Sequence, residues 1–315
     1  MRAIGIPSFG PPDVLAVVER PVPEPAAGQV RVKVAAAAVN PTDLMLRSGE
    51  LAAYMSDFTP PYTPGMDVSG HIDALGPDTT GFAAGDRVVG FVNPFTELGG
   101  AQAEYVCVPA DQLVPLPDAA PLVEAAGLPM NALTAHQALA LMDLAPGATL
   151  AVTGAAGALG GYAVQLAVQR GLRVVADARD EDRDLVTALG ADTVVSRHAD
   201  PQGTVAAYRT VLPHGADGVV DAAVLGHAAL EIVADGGHLV RCRPYDLPAP
   251  RGIVLHQTFV IAHPDKAGAL RELVGLAATG ALTLRTADRF APADAAEAHR
   301  RLEKGGVRGR QLIVF

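Results

Sequence analysis

From Ala148 onward, short apolar runs alternate with stretches of helical periodicity, the order expected of a parallel sheet covered on both faces. The runs predict strands at Ala148–Thr153, Leu172–Ala176, Thr193–Ser196, Asp217–Ala222 and His238–Arg241. Between them the pattern predicts helices at Ala158–Arg170, Asp182–Leu189 and His227–Ala234, the first and last running into a glycine that stops a helix. A last strand is predicted over Ile253–Ile261, then a helix over Asp265–Thr279 that Gly280 ends. Before Ala148 the rhythm differs. β-Branched runs such as Gln29–Val34 and Arg87–Val92 are short, and Pro7, Pro11, Pro21, Pro23, Pro25, Gly28, Pro60, Pro61, Pro64 and Gly65 break the chain between them. The apolar tail Arg308–Phe315 reads as one more strand, returned to this first part. The fold class is therefore α/β: a β-rich domain over residues 1–120, completed by about 262–315, and a doubly wound parallel-sheet domain over 121–261.

Composition narrows the function more than the fold. With 50% hydrophobic, 18% charged and 4% aromatic residues, the 315-residue chain is globular and large enough for two unstapled domains. A formal charge of −10, from 34 acidic and 24 basic residues, opposes any partner held by phosphate neutralisation, so nucleic acid and anionic membranes are excluded as expected partners. Cys107 and Cys242, the two cysteines, make neither a disulfide framework nor a four-thiolate zinc cluster, which suits a reducing compartment. The start of the chain lacks a basic segment followed by an apolar run, and no apolar stretch of about 18 residues is uninterrupted. A cytoplasmic, unexported protein is expected.

The richest segment is Gly154-Ala155-Ala156-Gly157-Ala158-Leu159-Gly160, where a predicted strand turns into a predicted helix. Glycine in such a turn lets backbone N–H groups approach a diphosphate, the helix N-terminus adds partial positive charge, and a third glycine lets helix and strand pack closely. A dinucleotide is the expected ligand, with a bare tight turn as the plainer alternative. About 20 residues further on, a residue should read the adenosine ribose, and Asp177 followed by Arg179 stands there. The two point in opposite directions: a carboxylate accepts from the 2′-OH of NADH, whereas a guanidinium favours the 2′-phosphate of NADPH.

Several motifs accompany this loop: Phe9-Gly10-Pro11-Pro12-Asp13, Asn40-Pro41-Thr42-Asp43, Arg47-Ser48-Gly49, Pro64-Gly65-Met66-Asp67, Gly85-Asp86-Arg87-Val88, Leu133-Thr134-Ala135, Ala298-His299 and Arg308-Gly309-Arg310. With them the chain resembles the medium-chain dehydrogenase/reductase superfamily, in its zinc-free, zeta-crystallin-like quinone oxidoreductase branch. The resemblance implies a GroES-like catalytic domain and a Rossmann domain, with substrate in the cleft between them. Metal-dependent relatives hold zinc through Cys, His and Cys, where this chain carries Asn40, Met66 and Met130, so no metal is expected. Asp43 and Asp67 are read as structural.

Without a Lewis acid the substrate itself must spread the charge that hydride transfer creates. Quinones and α,β-unsaturated carbonyls do so as hydroquinone anions or enolates, which a few hydrogen-bond donors stabilise. The resemblance implies NADPH as cofactor, with NADH the alternative that Asp177 and its acidic neighbours keep open. Asn40 is the nominated donor to the substrate oxygen; a turn-capping asparagine is its plainer reading. Tyr54 and Tyr62, on a loop that lines the pocket in relatives, are further candidates. Thr134 is carried over as a neighbour of the nicotinamide, a helix cap being the alternative. Family members that reduce quinones carry tyrosines where Met45 and Leu51 stand here, which leaves the substrate an apolar electrophile of open identity. Two other roles share these features: a nicotinamide-binding redox sensor or structural protein without turnover, and a biosynthetic enoyl reductase. A homodimer paired through Ile253–Ile261 is also expected.

Overall fold

The computed structural model describes the whole chain except residues 244, 245, 247 and 249. It divides into two compact units, one of Met1–Met130, Asp265–Gly280 and Leu284–Phe315, the other of Asn131–Pro264 with Ala281–Thr283.

The first unit begins with strands β1 (Arg2–Gly5), β2 (Ala16–Glu19) and β3 (Gln29–Val39), helix α1 (Pro41–Ser48), and strands β4 (Asp67–Leu75), β5 (Arg87–Phe91), β6 (Tyr105–Pro109) and β7 (Leu113–Pro115). Helix α2 (Leu122–Ala125) follows, and helix α3 (Pro129–Met142) belongs from Asn131 onward to the second unit. Strand β3 is the spine, pairing antiparallel with β4 and β6. Its alternation of Val30, Val32 and Val34 with Arg31 and Lys33 buries the valines in a core with Val68, Ile72, Val88 and Val106.

The second unit is a six-stranded sheet built from β8 (Thr149–Thr153), helix α4 (Ala158–Gln169), β9 (Arg173–Ala178), helix α5 (Arg183–Ala188), β10 (Thr193–Ser196), helix α6 (Pro201–Val211), β11 (Ala216–Asp221), β12 (Val233–Arg241) and β13 (Val254–Gln257). All pairings are parallel, in the order β10-β9-β8-β11-β12-β13, the doubly wound order that reverses direction at β8. Strands buried on both faces need continuous apolar sequence, and Leu150, Ala151, Val152, Val174 and Val175 are fully buried. Helix α7 (Lys266–Ala278), strand β14 (Thr286–Phe290), helix α8 (Ala295–Lys304) and strand β15 (Arg310–Val314) end the chain. β15 pairs with β3, so the tail completes the first unit's sheet.

Two predicted elements differ in the structure. The helix predicted at His227–Ala234 is a 3-10 turn over Gly226–Ile232, and β12 already begins at Val233. Its alanines, Leu230 and Ile232 are buried in the core from this tighter turn. The strand predicted over Ile253–Ile261 is only Val254–Gln257; Val260 is buried from within a 3-10 turn, so its apolar character serves packing rather than pairing. Among the described residues no helix is long and apolar enough to cross a membrane.

Candidate functional site

The glycine turn lies at the carboxyl end of β8, next to the point where the sheet reverses order, which is where open α/β sheets bind ligands. Gly154 has φ 68°, the left-handed region that suits glycine. Gly157 caps α4 in extended geometry, and a Cβ on Gly160 would lie 2.3 Å from the Gly154 carbonyl oxygen. Gly160 is thus the close-packing glycine and Gly154 the turning one. Ala155 and Ala158 are buried against the sheet, while Ala156, Gly157 and Leu159 are part-exposed. Backbone N–H groups at the start of α4 lack partners within the helix, so this end is chemically prepared for a diphosphate.

Two buried carboxylates brace the turn. Asp221, on β11, accepts from the Thr153 hydroxyl at 2.8 Å, and that hydroxyl accepts from the Ala223 N–H at 2.9 Å. Asp177, on β9, accepts from the Gly154 N–H at 2.7 Å and also from the Ala155 N–H. Its residue is 1% exposed, and Arg197 Nη1 stands 3.7 Å from Oδ1. Burial pushes the Asp177 carboxyl up, opposed by the Arg197 guanidinium and the two loop N–H groups. Asp177 therefore faces the underside of the loop. Arg179 lies half-exposed 3.9 Å from Glu181. The sequence reading missed Arg197 and Asp221. Both stand at carboxyl ends of parallel strands, and that position was the available signal.

In the first unit, Asn40 precedes α1, and its backbone N–H donates to Asp43 Oδ2 at 2.7 Å. Asp43 Oδ1 accepts from the Gly65 N–H at 2.7 Å. The Asn40 side-chain Nδ2 donates to Asp67 Oδ2 at 2.8 Å, and Asp67 Oδ1 accepts from the Met130 N–H at 2.7 Å. Asn40, Asp43 and Asp67 are each no more than 1% exposed. Burial pushes both carboxyls up to about 7 against the pull of these bonds and of Arg310. Asp43 and Asp67 thus tie loop backbone and the Asn40 amide together.

Asn40, Met66 and Met130, the residues singled out by the resemblance, do not fit a zinc ion as a ligand set. An amide at Asn40 and thioethers at Met66 and Met130 offer neither thiolate nor imidazole. Among the described residues no three His, Cys, Asp or Glu side chains gather as a metal site.

Tyr54 is 59% exposed, its ring against Phe95 at 5.3 Å between centroids. Tyr62 stacks on Phe9 at 5.4 Å, donates its hydroxyl to the Phe58 carbonyl at 3.3 Å, and packs on the cluster of Ile6, Leu46 and Met55. Thr134 is nearly buried in the second turn of α3, which starts at Pro129, so it is not a helix cap.

Residues 26–118 match the family model of the alcohol dehydrogenase GroES-like domain, and residues 189–313 match that of the zinc-binding dehydrogenase. The chain is 34% identical over 210 residues to the chloroplastic quinone-oxidoreductase QR1 of Triphysaria versicolor, covering 64% of this chain and 63% of that protein. It is 32% identical over 247 residues to the chloroplastic NADPH-dependent alkenal/one oxidoreductase of Arabidopsis thaliana, covering 76% of this chain and 62% of that protein. The match thus spans less than two thirds of the length of these curated relatives. Among solved structures, the quinone oxidoreductase from Coxiella burnetii superposes with a TM-score of 0.88 at 28% identity, covering 100% of this chain and 99% of that one. With both units matched and the glycine turn in place, the chain belongs to the medium-chain dehydrogenase/reductase superfamily.

Proposed function

We propose that this protein is an NADPH-dependent, metal-independent oxidoreductase that reduces an apolar quinone or α,β-unsaturated carbonyl compound. The observation that carries the reading is the glycine turn at Gly154–Gly160, braced from beneath by Asp177 and opening α4. When bound, the reduced nicotinamide supplies hydride to the electrophilic carbon. The chain's own part begins with the loop N–H groups and the end of α4, which hold the diphosphate. The Asn40 amide donates to the substrate oxygen as charge develops there. Tyr54, an exposed phenol, is assigned to proton delivery, and Tyr62, whose hydroxyl already serves Phe58, to the apolar wall. Thr134 is assigned to the nicotinamide.

The preference for NADPH is supported by what the ribose-reading carboxylate does. Asp177 is buried and committed to the loop, so it offers little repulsion to a 2′-phosphate. Arg197 and Arg179, with side chains 33% and 56% exposed, are cations that follow the carboxyl ends of β10 and β9. The Arabidopsis relative carries NADPH and alkenals or enones in its name. A cytoplasmic setting, where NADPH and free thiols such as Cys107 and Cys242 are maintained, belongs to the same reading. So does a homodimer built on β13, the sheet's last strand, where Val254 is 43% exposed.

Titration with each reduced cofactor, then turnover with a panel of quinones, enones and enoyl thioesters, tests the proposal. NADPH should bind roughly 10-fold more tightly than NADH, the worth of one charge-assisted bond to the phosphate. Equal or tighter binding of NADH refutes the cofactor assignment. Binding without oxidation by any member of the panel would make the protein a sensor.

A further inference from the structure

We infer that His238 and His256 form a two-histidine chelating site for a divalent transition-metal ion, copper or nickel in preference to zinc, apart from the machinery of hydride transfer. His238 lies on β12 and His256 on β13, the next two strands of the sheet after β11, which separates them from β8 and its glycine turn. His238 stands opposite Val254 and His256 opposite Val240. Side chains alternate with a period of two along a strand, so both imidazoles occupy one face as diagonal neighbours. There His238 Nδ1 and His256 Nε2 face each other at 2.9 Å, with ring centroids 5.2 Å apart and planes 10° from parallel. In the metal-free chain this contact is one N–H···N bond between rings of complementary tautomer. Both residues are half-buried, so a hydrated ion can reach them.

The spacing selects the metal. Bonds from a metal to imidazole are about 2.0–2.1 Å long, so nitrogens 2.9 Å apart subtend about 90° at a shared ion. That is the angle between adjacent ligands of a square-planar or tetragonal ion, the geometry of Cu²⁺ and Ni²⁺. A tetrahedral Zn²⁺ needs about 109°, and the nitrogens would have to stand about 3.3–3.4 Å apart. Binding requires both facing nitrogens to be bare. The ring that carries the shared hydrogen therefore moves it to its far nitrogen, with no net loss of a proton, and the broad χ2 of histidine lets both lone pairs swing onto one point beside the N···N line. Water fills the other coordination positions. A chain charge of −10 favours the cation. Once bound, the ion ties β13, which ends the sheet, to β12, and it does so only in the folded chain.

Chelator-treated, full-length protein is titrated with Cu²⁺, Ni²⁺ and Zn²⁺ at about pH 8, where imidazole is neutral. Wild type is compared with H238Q, H256Q, H238Q/H256Q and H71Q, the last removing an exposed histidine of β4 as a control. Wild type should bind one Cu²⁺ ahead of any further ions, and Ni²⁺ more tightly than Zn²⁺. The electron paramagnetic resonance spectrum of that first Cu²⁺ should be tetragonal, with two nitrogen ligands. Loss of a group that merely supports a metal ligand weakens binding by about 10–100-fold, so each single variant should lose at least about 10-fold in Cu²⁺ affinity and H71Q nothing. Cu²⁺ at about 100 times its Kd should raise the folding equilibrium constant about 100-fold in urea unfolding, and should not do so in the double variant. Glutamine keeps a hydrogen-bonding group at each place; should one single variant fail to fold, the other and the wild-type spectrum decide. A first Cu²⁺ bound equally well by wild type and the double variant is an adventitious ion only and overturns the inference. A spectrum showing a single nitrogen ligand, or Zn²⁺ bound more tightly than Ni²⁺, overturns it as well.

Discussion

Gly160 is the position in the cofactor loop least able to accept a methyl group. An ideal Cβ there would lie 2.3 Å from the Gly154 carbonyl oxygen, 2.7 Å from its carbon and 2.8 Å from Ala155 Cα. All three are backbone atoms, so no side chain can rotate away. Comfortable contact needs about 3.5 Å, and α4 must shift by about 1 Å relative to β8 to provide it. Overpacking of this kind costs about 1–3 kcal/mol. The displaced atoms belong to the turn whose Gly154 N–H is bonded to Asp177, so the shift also misaligns the N–H groups that face the diphosphate. Gly160→Ala should therefore lower stability by about 2 kcal/mol and weaken NADPH binding by about 10-fold, each factor of ten being about 1.4 kcal/mol. Gly157→Ala is the control. Its Cβ meets only the Gly154 oxygen, at 3.2 Å, and its φ of −72° suits any residue. It should stay within about 1 kcal/mol of wild type. Urea unfolding at constant m and titration of NADPH fluorescence measure both quantities. If Gly160→Ala unfolds within about 0.5 kcal/mol of wild type and binds NADPH within about twofold, the close-packing role of Gly160 is wrong.

Among the described residues, His299, fully buried on α8, has no hydrogen-bond partner at either ring nitrogen, and burial, with the Arg47 charge adding to it, pulls its pKa down to about 3. Between about pH 3 and 6.5 the unfolded chain binds this proton more tightly, so stability rises with pH across that window and is lost as pH falls. His299→Phe should flatten that slope and add about 1–2 kcal/mol at pH 7; a variant less stable than wild type in urea titrations at pH 7 would count against it. Asp43 has the opposite sign: its folded pKa of about 7 exceeds the ordinary 3.8, so its contribution is present at low pH and declines as pH rises through that interval. Asp43→Asn should remove that decline yet lower stability by about 1–3 kcal/mol, because one amide oxygen cannot serve both the Asn40 and Gly65 N–H groups; an undiminished pH slope in its unfolding curves would disprove the assignment. Arg197→Ala should weaken NADPH by roughly 10-fold and NADH by much less. Calorimetric titration showing equal losses for the two would remove Arg197 from phosphate recognition.

The parts of this fold that were legible in the sequence are those governed by local rules. Apolar runs of the right length located β8 to β11, the glycines located the turn between β8 and α4, and Arg310–Val314 declared itself a strand although its partner β3 lies far away in sequence. Periodicity failed where tertiary packing decided the outcome, as at Gly226–Ile232 and Val260. Helix α6 carried a plain start signal that the reading passed over, Asp200 before Pro201, and the Asp200 carboxylate accepts from the Gly203 N–H at 2.6 Å. At the site, the residue types were legible but their directions were not. Asp177 stands where a ribose-reading acid belongs, and sequence spacing alone cannot tell an outward carboxylate from one folded under the loop. The deciding contact, Gly154 N–H to Asp177, joins residues 23 apart through the pairing of β8 with β9, so it exists only once the sheet has formed. With that bond made, the same acid that suggested NADH becomes part of the loop's support, with the Arg197 guanidinium 3.7 Å from its carboxylate.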